Sequence, residues 1–246
     1  GEIQTSLQLS VSSEVNRERV SFNRKTAIFL VIGVGLAIFN QLTGINVIQY
    51  FGPTLLMNVT HNMQEAMFMT IWLAVLQFAG VIVGMMLIDK MGRRSLLLIG
   101  SLGSTVCLLF TFWTFYSGMT GVISVLGLFG FMFLFGGTWG QVVWTVIGEI
   151  FPTRLRGAGM GFSICAMWAG NFFVSQSFPM MNQSAYLNDN FHGGFPLLLF
   201  AVCSLASWWF VKALLPETKG VSLEKMEALI LERFETTQRE SKTVTH

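Results

Sequence analysis

Between Gln41 and Phe51 the chain reads QLTGINVIQYF, placing two glutamines, an asparagine, a tyrosine and a glycine inside an apolar run. Amides carry donors and acceptors without charge, so they suit recognition of a neutral hydrogen-bonding ligand rather than bond making. On an unbroken helix Asn46 and Tyr50 lie about 40° apart, whereas Gln41 and Asn46 lie about 140° apart. Gly44 after Thr43, with Pro53 beyond, offers places to bend, and a bend would turn both amides toward one cavity. The plainer reading is that the amides only bind neighbouring helices, but four hydrogen-bonding groups in one run exceed what packing needs. A second set, Asp89, Arg93, Arg94, Glu149, Arg156 and Glu217, brackets the ends of apolar stretches, and Arg–carboxylate pairs are geometrically selective. No nucleophile–base pair, metal cluster or nucleic-acid feature rises above chance. No enzyme chemistry, cofactor, metal or nucleic-acid partner is expected.

The elements that carry these residues are membrane spans. Of 246 residues, 52% are hydrophobic and 11% charged, against roughly 25% charged in a soluble domain. Six apolar stretches are long enough to cross a bilayer, at about Ala27–Met57, Ala66–Ile88, Leu96–Tyr116, Val122–Gly148, Ala158–Met181 and Phe195–Leu214. The expected fold class is all-α, a polytopic membrane protein with six transmembrane helices and the lipid bilayer as its partner. A polar side chain facing hydrocarbon is costly, so the Gln41–Tyr50 groups should face a partner or a water-filled cavity.

All 15 Lys and Arg fall in the N-terminal segment, around Lys90–Arg94 and Arg154–Arg156, or after Val211. The alternate loops contain none. The positive-inside rule then puts both termini and both basic loops in the cytoplasm. The expected organisation is a cytoplasmic linker end over 1–24, a six-helix unit over 25–215 and a cytoplasmic tail over 216–246. The chain begins with Gly, without a signal peptide, and its start reads as the tail of a linker. Cys107, Cys165 and Cys203 lie within spans and read as small buried hydrophobes. Gly136 and Gly140, and Gly157 and Gly161, have small-xxx-small spacing for close helix contact.

QLTGIN followed by QYF resembles the seventh transmembrane segment of the sugar porter family of the major facilitator superfamily. DKMGRR at Asp89–Arg94, GEIFPTRLRG at Gly148–Gly157 and PETKG at Pro216–Gly220 follow in the family's order. The resemblance covers about Asn23 to Glu227 and implies the second six-helix half of a twelve-span transporter, partnered by a missing N-terminal half. Gln41 and Asn46 match sugar-binding amides, and Asn40 stands where a first glutamine is usual. Tyr50 and Phe51 match an aromatic gate pair. Gln77 occupies the place of a binding asparagine, and Gly140, Trp144 and Trp168 match a glycine and two tryptophans. Gln141 replaces a common proline, and Met167 sits where an amide is usual. The resemblance also makes the acids and arginines a cytoplasmic salt-bridge network that holds the outward-facing state.

It implies transport of a monosaccharide, hexose or pentose, by alternating access, as symporter or facilitator. A polyol or inositol transporter, a membrane sugar sensor and an inert fragment are the alternatives. Tryptophan and amides without Lys or Arg suit the apolar face and hydroxyl edge of a pyranose. Trp72, Trp113, Trp139, Trp208 and Trp209 are read as packing or interfacial residues. The acids between Arg19 and Glu217, namely Glu65, Asp89, Glu149 and Asp189, all lie at or beyond span ends, so none offers a mid-membrane titrating group.

Overall fold

The structure, a computed structural model, describes residues 24–119, 122–152 and 155–217. Most of the expected linker and tail, and Arg154, lie outside them. The described helices are α1 Arg24–Leu42, α2 Ile45–Tyr50, α3 Gly52–Thr60, α4 Met63–Met91, α5 Arg93–Tyr116, α6 Val122–Gly137, α7 Trp139–Ile150, α8 Arg156–Gln183, α9 Ala185–Phe191 and α10 Phe195–Leu214. No strand occurs among the described residues. Six segments are long and apolar enough to span a membrane, Thr26–Tyr50, Met63–Met91, Arg93–Tyr116, Ile123–Ile150, Arg156–Gln183 and Phe195–Leu214. The first ends before the sequence expectation. Phe51, at φ −109° and ψ 15°, leaves the helical region, and Pro53 opens α3 as a separate helix.

Two of the six spans are broken. The first breaks at Thr43–Gly44, where Gly44 has φ +82°. A side chain is disfavoured at that dihedral, and a Cβ there would sit 2.3 Å from the Phe200 ring. Glycine is therefore required twice over. The fourth span breaks between α6 and α7 at Thr138, with φ −127° and ψ −88°. The Gly136–Gly137 pair just before it is a sequence signal for such a break.

Close approach of backbones holds the bundle together, as expected where lipid supplies no hydrophobic drive between helices. The helix α4 lies along α6, α1 along α8, and α5 along both α10 and α6. A Cβ on Gly80 would lie 2.1 Å from the Phe133 carbonyl oxygen, and one on Gly136 would lie 2.4 Å from that of Gln77. Gly157 and Gly161 correct the expectation, because a Cβ on either would meet nothing within 4 Å. They lie on an exposed face of α8 that no described helix covers. Cys165 shares that exposed side, while Cys107 and Cys203 are half-buried. Trp139 is fully buried, its indole N–H shared between the Leu97 carbonyl (3.0 Å) and Ser101 Oγ (2.9 Å). Ser207 Oγ donates to Ser101 Oγ at 3.0 Å, so polar groups tie α5, α7 and α10 inside the core.

Candidate substrate site and charge cluster

The break at Gly44 does what spacing on a straight helix forbids. Asn46 Nδ2 donates to Gln41 Oε1, and also to Asn171 Oδ1 at 3.0 Å. Gln41 is 4% exposed and Asn171 8%, and α8 approaches Gln41 closely at Gly170. Ser175 Oγ adds a second donor to Asn171 Oδ1 at 3.1 Å. Asn171 was missed by the sequence reading. Met167 occupies the position where an amide was looked for, and Asn171 supplies one a helical turn later, on the same face.

Asn40 is 5% exposed, and both ends of its amide are engaged internally. Its Nδ2 donates to the Trp139 carbonyl at 3.1 Å, and its Oδ1 accepts from Gln41 Nε2 at 3.0 Å. Thr43 Oγ1 closes the turn on the Asn40 carbonyl at 2.8 Å. The two breaks are thereby joined, since Asn40 precedes one and Trp139 follows the other.

Gln77 makes no hydrogen bond to these amides among the described residues. Its Oε1 accepts from Gln49 Nε2 at 2.7 Å, an exposed pair that links α4 to α2. Tyr50 is 56% exposed, and Phe51 packs on Phe178 with ring centroids 4.9 Å apart. Trp168 is exposed three residues before Asn171, whereas Trp144 is partly buried against the core. A Cβ on Gly140 would meet the Phe135 carbonyl oxygen at 3.2 Å. Gln141, in place of proline, donates from Nε2 to the Val81 carbonyl at 3.2 Å and ties α7 to α4. An apolar cleft of about 460 Å³ between α1 and α8, lined by Thr26, Leu30, Val34, Phe151 and Phe162, holds none of these amides. Its lining offers little to a hydroxyl-rich ligand, so the amide cluster is the better candidate site.

The charge cluster gathers three separate sequence motifs. Arg93 Nη2 reaches Glu149 Oε1 at 3.2 Å, and Arg93 Nη1 lies 3.9 Å from Asp89 Oδ1. The Arg93 backbone N–H donates to Glu217 Oε1 at 3.0 Å. A carboxylate at the first turn of a helix satisfies an orphan donor and complements the helix dipole. Gly92 makes room for it. Its φ is +85°, and a Cβ there would sit 2.8 Å from the Glu217 carboxylate. Arg94 Nη2 donates to the Lys212 carbonyl at 3.1 Å, binding the start of α5 to the end of α10. Lys212 stands 4.5 Å from the centroid of the Trp208 ring. Arg156 makes no ion pair with an acid among the described residues, so it stands outside the cluster that Arg93 organises. Glu149 Oε2 is buried without a hydrogen-bond partner among them.

Residues 2–230 match the family model described as sugar (and other) transporter. The chain is 34% identical over 200 residues to the D-xylose-proton symporter of Escherichia coli (strain K12), covering 81% of this chain and 41% of that protein. It is 32% identical over 197 residues to the glucose facilitated diffusion protein of Zymomonas mobilis, covering 80% and 42%. Among solved structures, the proton:xylose symporter XylE bound to 6-bromo-6-deoxy-D-glucose superposes with a TM-score of 0.74 at 34% identity, covering 81% of this chain and 42% of that one. The chain thus spans about two-fifths of the length of the relatives it matches.

Proposed function

The chain belongs to the sugar transporter family, a multi-pass membrane protein with the fold of one major facilitator half, and from that premise we propose that it serves as the C-terminal half of a monosaccharide transporter. The observation that carries the reading is the amide cluster at the broken first span, where Gln41, Asn46 and Asn171 converge. Hexose or pentose hydroxyls would bond to these amides, with Trp168 and Trp144 offering flat amphipathic surfaces beside them. Tyr50 at the end of α2 and Phe51 between α2 and α3 would close over the substrate from one side. A site built this way discriminates by which groups a wrong substrate leaves unpaired.

Alternating access needs a second half to rock against this one, with the sugar held between. The chain's match to only about two-fifths of its relatives' length supports such a partner. The Arg93 cluster would lie on the cytoplasmic side with both termini in the cytoplasm, as the distribution of Lys and Arg supports. Its contacts would form in one state and break in the other, biasing the equilibrium by their differential energy. Uptake of labelled glucose and xylose by the chain joined to the first six spans of its transporter tests the proposal. Saturable uptake that weakens in Gln41→Ala supports it, and silence toward all monosaccharides refutes it.

A further inference from the structure

We propose that Asn40 is a positioning residue rather than a sugar ligand: anchored on the Trp139 carbonyl, it sets which end of each amide at Gln41, Asn46 and Asn171 meets the substrate. The proposal rests on the reading of the amide cluster as a sugar site.

A carbonyl oxygen can only accept, so Asn40 must present its Nδ2 to Trp139, at 3.1 Å. That choice turns Asn40 Oδ1 toward Gln41, and Gln41 must answer with Nε2, at 3.0 Å. Gln41 Oε1 then faces Asn46, which must donate. Asn46 Nδ2 has two hydrogens, and its second goes to Asn171 Oδ1. Ser175 takes the remaining lone pair of that oxygen. Every amide in the series is oriented by the one before it, and the first is oriented by the backbone at the second broken helix.

The consequence is a defined set of leftover groups. Both hydrogens of Asn46 Nδ2 are used, so Asn46 offers a substrate its Oδ1, an acceptor. Both lone pairs of Asn171 Oδ1 are used, so Asn171 offers its Nδ2, a pair of donors. Gln41 keeps one N–H. Among the described residues nothing else donates to Asn46 Oδ1 or accepts from Asn171 Nδ2. A hydroxyl at Asn46 must therefore donate, and a hydroxyl at Asn171 must accept. Without the anchor on Trp139, the series has no fixed direction, and the same residues can present the opposite pattern.

The test uses the chain joined to the first six spans, with glucose and its single-position deoxy and deoxyfluoro analogues as probes. Fluorine does not donate and accepts weakly. The wild type should then lose both analogues equally at one hydroxyl, and tolerate fluorine better than hydrogen at another. Asn40→Leu removes the anchor at similar volume. It should raise KM for glucose about tenfold, one mispaired hydrogen bond's worth, and it should narrow the gap between fluoro and deoxy analogues. Asn40→Gln, which keeps a donor and an acceptor, should restore the wild-type pattern. Should Asn40→Leu fail to yield folded protein, Asn40→Ala, which removes both the donor and the acceptor with less bulk, is expected to narrow the gap in its place. An unchanged analogue pattern in the folded variant overturns the proposal. So does a variant that becomes indifferent to one hydroxyl only, because that is the signature of a direct contact. A wild type that takes up no monosaccharide overturns the sugar reading itself, and this inference with it.

Discussion

Replacing Asn46 separates the two jobs its amide does. Asn46→Ala removes the acceptor offered to substrate and both donors that hold Gln41 and Asn171. Asn171 Oδ1 keeps Ser175, but Gln41 Oε1, on a side chain only 4% exposed, keeps no described donor. One lost substrate hydrogen bond and one orphaned acceptor amount to about 1–3 kcal/mol, or about 5- to 150-fold in affinity. Asn46→Asp is the sharper variant. It preserves the acceptor and the shape, yet sets a carboxylate oxygen against the Gln41 and Asn171 oxygens, so it should be impaired at least as much as alanine. KM and maximal uptake of labelled glucose or xylose in proteoliposomes, at matched protein levels, measure both. A wild-type KM in Asn46→Asp would refute the bridging role, and a wild-type KM in both variants would refute the site.

Arg93→Ala should slow transport more than it weakens binding. The partly buried Arg93–Glu149 pair is worth about 1 kcal/mol, which shifts a two-state balance about fivefold, and accessibility of a cysteine placed near Tyr50 reads that shift. Gly44→Ala should lower the thermal midpoint of purified transporter and abolish binding, because a left-handed dihedral costs about 1–2 kcal/mol before the overlap with Phe200 is added. Asn171→Ala should raise KM by about the same factor as Asn46→Ala, whereas Met167→Ala should leave it nearly unchanged; equal effects would return the role to position 167. Sugar affinity should not vary with pH through this half's spans, since Glu65, Asp89, Glu149 and Asp189 stand at helix ends or in α9. A pH-dependent affinity lost in Glu149→Gln would contradict that.

Much of the fold was legible because each span announces itself by length and hydropathy, within a few residues at either end except where Phe51 and Pro53 end the first span at Tyr50 instead of Met57. The break at Gly44 was legible too, since polar groups on incompatible faces of one helix demand a bend. The second break at Thr138 was not read, because a Gly–Gly pair in an apolar run also fits plain packing. Asn171 escaped for a different reason. A motif position filled by Met drew attention to the loss of an amide, and only the three-dimensional register of α8 against α2 shows that a neighbouring turn replaces it. Hydrogen-bond direction was out of reach of the sequence, because the Trp139 carbonyl that fixes it comes from a distant backbone segment.

The central claim, that this chain is one half of a monosaccharide transporter with its sugar contacts at Gln41, Asn46 and Asn171, meets its most direct test in reconstitution. Labelled glucose and xylose are offered to proteoliposomes holding the chain alone, the chain with the first six spans, and the latter pair carrying Asn46→Ala. The account predicts no uptake from the first, saturable uptake from the second and a strongly raised KM in the third. Saturable uptake by the chain alone, or none by the pair, would contradict it.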